Sequence, residues 1–241
     1  MDSEIFHPAS ESTEKLLTKI RYELQHLAAG AKPRPVDSRR WFHGRGRELP
    51  DLSFICIDFF DPVVHITLFR ECDADWLQAL VLKLQNAIAE QGLSDSVLAI
   101  NIQERFRPGA PSYVAWGDLP EAIFAQRQAL RFYLSLNARQ NSGFFLDMEP
   151  GRRWLEQQAQ GARVLNLFSY TCAFSTVALA AGALKVVNVD MASGALKQGR
   201  DNHRINGFDK KLSVFLCENI LKSWSRIRRP GPYDIVIIDP P

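Results

Sequence analysis

Cysteine is scarce in this chain, and what there is does not cluster. Cys56, Cys72, Cys172 and Cys217 show no C-x-x-C spacing and no nearby histidine pair. That pattern speaks against a zinc site and against a disulfide framework; buried thiols in a reducing compartment fit it better. No metal site is expected. Charge of one sign is missing too: Lys+Arg 29 against Asp+Glu 27 leaves a net +2, so a nucleic-acid partner has to be argued from local patches. The N-terminus carries Asp2 and Glu4 and no apolar segment, which excludes a secretory signal there and points to the cytoplasm. Repeats and low-complexity tracts are absent. One uncharged stretch, Val164 to Leu184, is about as long as a membrane span. It includes Asn166, Ser169, Tyr170, Thr171, Ser175 and Thr176 and changes periodicity midway, so it reads as buried strand, loop and helix, and no membrane partner is expected.

What is present is an ordinary globular composition, 46% hydrophobic and 23% charged over 241 residues, enough for two modest domains. Residues 11–29 form an amphipathic pattern through Leu16, Leu17, Ile20, Leu24 and Leu27. Gly30 stops that helix, and Pro33 and Pro35 prevent its resumption. Residues 31–50, rich in Pro, Gly and Arg, read as a linker or exposed loop. Strands are expected at Phe54–Phe59 and Val63–Phe69, a helix at 74–91, and strands at Val97–Ile102 and Tyr113–Trp116. A hairpin over Ala122–Gln126 and Ala129–Leu136 follows, its second arm alternating Leu130, Phe132 and Leu134 with Arg131, Tyr133 and Ser135. This divides the chain into an N-terminal helix and linker (1–38), a small α+β domain (39–140) and an α/β domain (141–241).

The second half changes rhythm. After a helix near Arg152–Ala159, strands at Arg163–Phe168, Lys185–Asp190, Ser213–Cys217 and Asp234–Asp239 alternate with helices at Cys172–Ala181, Ala192–Asn206 and Ile220–Ile227. Single helices between strands mean right-handed crossovers and a parallel sheet, and ligands bind at the carboxyl ends of such strands. The first strand ends in Phe168-Ser169-Tyr170-Thr171-Cys172, a turn into a helix whose amides suit a carboxylate-bearing ligand. The second ends in Asp190-Met191. A carboxylate there can accept both hydroxyls of a ribose, and the methionine can pack on a flat base; equally, Asp190 alone could merely cap the next helix. The third ends in Glu218-Asn219, polar groups for an adenine edge, and the fourth in Asp239-Pro240-Pro241.

Val164-Leu-Asn-Leu-Phe-Ser-Tyr-Thr, Val189-Asp190, Asn202-His-Arg-Ile-Asn206 and Ile238-Asp239-Pro240-Pro241 together resemble the Rossmann-type S-adenosylmethionine-dependent methyltransferases. The resemblance is to the bacterial enzymes of large-subunit ribosomal RNA that modify cytosine C5 or guanine N7. Ser142-Gly143-Phe144-Phe145-Leu146-Asp147 is similar to the segment those enzymes place before their cofactor domain, and Arg45-Gly46-Arg47-Glu48-Leu49-Pro50 to the entry of their middle domain. The resemblance implies S-adenosylmethionine as cofactor. Phe168, Ser169, Tyr170, Thr171 and Cys172 would cradle its methionine end, Asp190 and Met191 the ribose and base, Glu218 or Asn219 the adenine, with Phe145 and Asp147 also at the cofactor. Asp239 and Pro240 would face the target base. It implies structured RNA, ribosomal, as substrate.

Two departures from the family pattern concern residue type: Cys172 and Ala173 stand where many relatives have glycine, and Asn219 where aspartate is common. The barrel-like RNA-binding domain that often opens those enzymes has no counterpart beyond the 11–29 helix. The chain stops at Pro241, after four strands of a sheet expected to continue, so it reads as a fragment or the ordered part of a longer protein, with an exposed edge at Val236 and Ile238 and any cytosine-attacking cysteine elsewhere. Arg39-Arg40-Trp41-Phe42-His43-Gly44-Arg45-Gly46-Arg47 mixes cations with aromatics. It suits RNA, with Arg39, Arg40, Arg45 and Arg47 on phosphates and Trp41 on a base, or else it is a solvated loop whose Trp and Phe anchor in the core. A second basic run, Lys222, Arg226, Arg228 and Arg229 around Trp224, reads as an exposed helix away from the strand carboxyl ends. Two other functions remain open here: methylation of DNA or protein nitrogen, because Asp-Pro-Pro also resembles amino-methylating motifs, and a cofactor-binding module without catalysis.

Overall fold

The computed structural model describes residues 6–30, 35–137 and 141–240; Pro33 and Pro241 lie outside them. The chain divides into two compact units, residues 1–128 with 134–142, and 129–133 with 143–241. Among the described residues no helix is long and apolar enough to cross a membrane.

The first unit is a five-stranded sheet in the order β1-β2-β3-β4-β5, made of β1 (Arg39–His43), β2 (Ile55–Phe60), β3 (Val63–Leu68), β4 (Ala99–Glu104) and β5 (Ser112–Gly117). Pairings are antiparallel except β3 with β4. The helix α2 (Ala74–Glu90) makes that parallel crossover, capped by the Asp73 carboxylate, which accepts from the Trp76 amide at 2.7 Å. The N-terminal helix α1 (Ser10–Ala28) does not stand apart. Leu16, Leu17, Ile20 and Leu24 are fully buried in one cluster with Leu80 and Leu84 of α2 and Ile57, Ile66 and Ile100 of the sheet. The opposite sheet face is buried as well but polar. Asp58, His65 and Asn101 are register partners across β2, β3 and β4, as are Cys56, Thr67 and Gln103. The Asn101 amide donates to His65 Nδ1 at 3.1 Å and also reaches the Leu136 carbonyl.

The hairpin β6 (Ile123–Arg127) and β7 (Leu130–Leu134) follows. The second unit is α3 (Glu149–Gln158), β8 (Arg163–Leu167), α4 (Ala173–Ala180), β9 (Lys185–Asp190), α5 (Ser193–Ile205), β10 (Ser213–Cys217), α6 (Trp224–Arg228) and β11 (Ile235–Ile238). Its four strands are all parallel, in the order β10-β9-β8-β11. The α/β class and the parallel sheet are as the sequence implies. Apolar side chains fill both faces: Leu155, Val164, Leu179 and Val186 on one, Leu165, Leu167, Val187, Val189 and Ile227 on the other. In the middle of the first of these faces the register partners Asn166 and Asn188 are buried, Asn166 donating to Asn188 at 3.1 Å. Val236 and Ile238 are exposed on β11.

Two elements differ from expectation. The helix expected over Ile220–Ile227 starts only at Trp224, because the Asn219 side chain accepts from the Leu221 amide and holds the preceding residues in a turn. The linker expected at 31–50 contains a strand and a short 3-10 turn in its described part, and a second such turn begins at Pro50.

Candidate cofactor site

Parallel pairing in register aligns the four strand ends. Leu167 lies opposite both Val189 and Ile238, and Asp190 opposite Cys217. The segments that follow, Phe168–Cys172, Met191, Glu218–Asn219 and Asp239–Pro240, therefore emerge at one edge of one sheet, which is what a ligand site on this fold requires.

The loop after β8 is its most constrained part. Phe168, Tyr170 and Cys172 have φ of 53°, 45° and 63°, a left-handed conformation that costs a non-glycine residue roughly 1–2 kcal/mol. Strain of that kind persists only where the surroundings enforce it, and here they do. The Ser169 amide donates to the Val189 carbonyl at 3.0 Å, the Tyr170 amide to the Asp190 carboxylate at 2.8 Å and the Cys172 amide to the Ser169 carbonyl at 2.7 Å. The loop was expected to turn its amides toward a ligand; these three are used within the protein instead. The donors left for a ligand are the first-turn amides of α4, which have no intrahelical acceptor.

Cys172, which stands where the family pattern has glycine, does have the φ of a glycine position. Its side chain fits because Gly199 of α5 faces it: a Cβ at Gly199 would lie 2.4 Å from Cys172 Sγ and 2.9 Å from its Cβ. The thiol is fully buried, and burial pushes its pKa up to about 12. A thiol buried and protonated in this way is a structural rather than a reactive cysteine.

Asp190 is held from two sides. One oxygen accepts from Tyr170 N and the other from Ala192 N, both at 2.8 Å. An ionised carboxylate has about four acceptor positions, so two remain for hydroxyls. It caps the following turn, and the cap leaves acceptor positions that a diol would need. Met191 beside it is 68% exposed, an uncovered apolar surface. Glu218 accepts from Ser223 Oγ at 2.7 Å and Arg226 at 2.6 Å, and these bonds hold its carboxyl below the usual range. The second basic run therefore does not lie away from the strand ends, as the sequence suggested: Arg226 reaches one residue past β10. The Asn219 oxygen accepts from Leu221 N at 3.0 Å, which leaves its amide as donor.

Asp239 and Asp147 are brought together. Burial raises the pKa of Asp239, and the neighbouring Asp147 charge raises it further. Phe145 is partly exposed, with its ring centroid 5.5 Å from that of Tyr170, whereas Phe144 is buried against Phe132. This segment is organised by Arg152, which sequence reasoning passed over. Its guanidinium is buried, donates to the Phe145 carbonyl at 2.8 Å and to Glu149 at 3.2 Å, and lies 4.2 Å from the Phe144 ring.

Also missed was a stripe of carboxamides on α5, at helical spacing. Gln198 donates to the Tyr133 carbonyl at 2.6 Å, Asn202 accepts from the Tyr133 amide at 2.9 Å, and Asn206 both accepts from and donates to the Arg131 backbone. Asn202 also donates to the Thr171 carbonyl at 2.9 Å, while Thr171 Oγ1 donates to the Gly143 carbonyl at 2.6 Å. Gly143, at φ 112°, leaves no room for a Cβ, which would lie 2.5 Å from the Gln198 amide and 2.8 Å from the Tyr133 carbonyl. The signal was available in the i, i+4 spacing of Asn202 and Asn206, which a resemblance had marked without a role.

The basic stretch 39–47 is only partly as expected. Arg39–His43 is the edge strand β1, not a loop. A bulge between Arg40 and Phe42 lets the consecutive Trp41 and Phe42 both turn inward. Trp41 is 6% exposed and stacked on Phe59 at 4.7 Å, so it does not offer a face to a base. Arg39 pairs with Glu23 at 3.1 Å, and Arg40 grips Asp58 through two nitrogens. Arg45 and Arg47 remain exposed.

Strand ends carrying a doubly tethered aspartate, an exposed methionine and an acid at the fourth strand are found together with a family match. The profile of the S-adenosylmethionine-dependent methyltransferase family matches residues 39–241. The chain belongs to that family. The chain is 28% identical over 213 residues to Ribosomal RNA large subunit methyltransferase I of Alteromonas mediterranea, covering 87% of this chain and 52% of that protein. It is 28% identical over 236 residues to methyltransferase K/L of the same subunit from Ectopseudomonas mendocina, covering 96% of this chain and 31% of that protein. The chain thus spans about half or less of the length of these curated relatives. A solved structure described as a methyltransferase complexed with SAH shares the fold at TM-score 0.74 and 23% identity, over 99% of this chain and 60% of that one. The SAM-dependent methyltransferase of Agrobacterium tumefaciens does so at 0.59 and 23%, over 78% and 57%.

Proposed function

We propose that the methyltransferase transfers a methyl group to a base in RNA, and specifically in the RNA of the large ribosomal subunit. The carrying observation is the carboxyl-end constellation built on Asp190. Its donor set fits the family's cofactor: two acceptor positions for a ribose diol, apolar Met191 for a base, the Glu218–Asn219 turn for an amino-bearing ring edge, and the first turn of α4 for a carboxylate. Phe145 and Asp147 close the side of Tyr170. The cofactor supplies an already activated methyl group, so the protein's work is binding, alignment and exclusion of water.

Asp239, with Pro240 fixing the backbone beside it, meets the target base. A carboxyl held above the usual range by burial and by Asp147 is a more basic hydrogen-bond acceptor, suited to orienting an amino or imino group. RNA rather than DNA or protein is favoured because the ribosomal relatives align across most of this chain. Of the stretch at 39–47, Arg45 and Arg47 remain as RNA contacts.

Undermethylated ribosomal RNA incubated with the chain and tritiated cofactor tests this reading. Label in the large-subunit RNA supports it. Calorimetric cofactor binding with no label in any RNA would move the reading to a non-catalytic module, and label in DNA or protein to the amino-methylating alternative.

A further inference from the structure

The first unit holds cations that the site above does not use. Phe69, directly after β3, is half-buried, and two guanidinium groups converge on its ring: Arg45 at 5.1 Å and Arg105 at 5.5 Å from the centroid. Arg45 lies in the turn after β1 and Arg105 directly after β4, so the sheet brings together two residues 60 positions apart. Their proximity is unfavourable on its own: Arg105 is held below its usual pKa by burial first and by the Arg45 charge second.

Three other arginines of this unit are neutralised. Arg39 has Glu23, Arg40 has Asp58, and Arg107 has Glu104 and Glu71. Among the described residues no carboxylate lies within ion-pair distance of Arg45 or Arg105, and the side-chain partner of Arg105 is the uncharged Asn141, at 3.4 Å. Arg70, the next residue in the chain, lies 3.8 Å from the Phe6 ring and likewise has no carboxylate partner among the described residues. Guanidinium groups held on apolar rings keep their N–H edges free for a planar fork on an anion. A phosphodiester chain, with regularly spaced charges and no bulk at each, suits a pair of such forks with a third cation alongside.

We propose that Arg45 and Arg105, held on Phe69, clamp the phosphate backbone of single-stranded RNA, a role that rests on the RNA reading above. The clamp positions substrate and reads no sequence.

Fluorescence anisotropy of a labelled oligouridylate, titrated at several KCl concentrations, tests it. In the Arg45→Gln/Arg105→Gln double variant, affinity at low salt should fall on the order of tenfold, and the slope of log K against log[salt] should flatten by at least about 0.7, the value of one single-strand phosphate. Arg45→Lys/Arg105→Lys should keep the slope, and Arg107→Gln, a cation already paired, should not change it. Circular dichroism confirms that each variant is folded. An unchanged slope in the double Gln variant overturns the clamp and leaves the RNA reading standing. No oligouridylate binding by the wild type overturns the clamp; if ribosomal RNA takes no label either, both fall. Calorimetric binding of inorganic phosphate that depends on Arg45 and Arg105, without RNA binding, reassigns the pair to a free anion.

Discussion

Gly199 and Cys172 form a pair whose coupling can be measured. In most helices an exposed or half-exposed glycine is a weak point, and Gly→Ala gains about 1 kcal/mol. At Gly199 the new Cβ would lie 2.4 Å from Cys172 Sγ and 2.9 Å from Cys172 Cβ. Overpacking of that kind costs about 1–3 kcal/mol, so Gly199→Ala should be neutral to destabilising by about 2 kcal/mol. Cys172→Gly relieves a left-handed φ of 63° but gives up a buried thiol, and the two effects nearly cancel. In the Cys172→Gly background the nearest neighbour of a Cβ at 199 is the Thr171 carbonyl carbon at 3.4 Å, an ordinary contact. There Gly199→Ala should stabilise by about 1 kcal/mol. The coupling energy is then about 1–3 kcal/mol, read from urea denaturation of the four proteins. Cofactor affinity measured by calorimetry should fall in Gly199→Ala and recover in the double variant. Additivity within about 0.5 kcal/mol, the scatter of independent sites, would refute the reasoning.

Removing the Asp190 carboxylate should matter more to binding than to folding: Asp190→Ala should weaken cofactor affinity roughly ten- to a hundredfold, from a loss of about 1.5–3 kcal/mol, and unchanged calorimetric affinity in a folded variant would exclude the ribose role. Asn202→Ala should remove the donor to Thr171 and the acceptor for Tyr133 together, weakening the cofactor through the loop; a tighter or equal dissociation constant would show that the loop keeps its shape without it. Acid should destabilise both units. His65 and His203 are buried with pKa values lowered to about 4, whereas an unfolded histidine titrates near 6.5. The unfolded chain therefore takes up protons first, and stability present above pH 6.5 is lost as pH falls toward 4, by about 1.4 kcal/mol per histidine per pH unit. Chemical denaturation across that range should show the slope, and His65→Gln should flatten it for the first unit; a flat profile in the wild type would contradict neutral burial.

Strand and helix periodicity carried most of the second unit: the four strand ends, and hence the placement of Asp190, Glu218 and Asp239 at one edge of the sheet, were legible because buried parallel strands read as apolar runs. Less legible was anything decided across the fold. Whether Trp41 and Phe42 face RNA or anchor in the core stayed open because consecutive apolar residues cannot share a face of a regular strand; the bulge that lets both turn inward is invisible in sequence. Arg39 and Arg40 read as free cations because Glu23 and Asp58 are distant in the chain. The polar face carrying Asp58, His65 and Asn101 was hidden because β2 and β3 are buried on both sides. Alternation then no longer separates core from solvent.

The loop after β8, the proposed cofactor loop, shows how such contacts set a backbone. Three residues between 168 and 172 adopt a backbone that none of them prefers, so the loop cannot be set by its own sequence. It is set by Val189 and Asp190 accepting its amides, by Asn202 and Gly143 fixing Thr171, and by the space that Gly199 leaves for Cys172. Helix α5 supplies two of those restraints, and its carboxamide stripe bonds the β7 backbone through Gln198, Asn202 and Asn206. A substitution at Gly199 or Asn202 would therefore act on a cofactor bound over the loop without touching it. The Asp190 carboxylate links this framework to the ligand, because the oxygen that accepts the Tyr170 amide belongs to the group that would accept the ribose. Fixing the loop and binding the cofactor are then one equilibrium, and a bound cofactor should protect the Tyr170 amide from hydrogen exchange more than it protects the amides of β8.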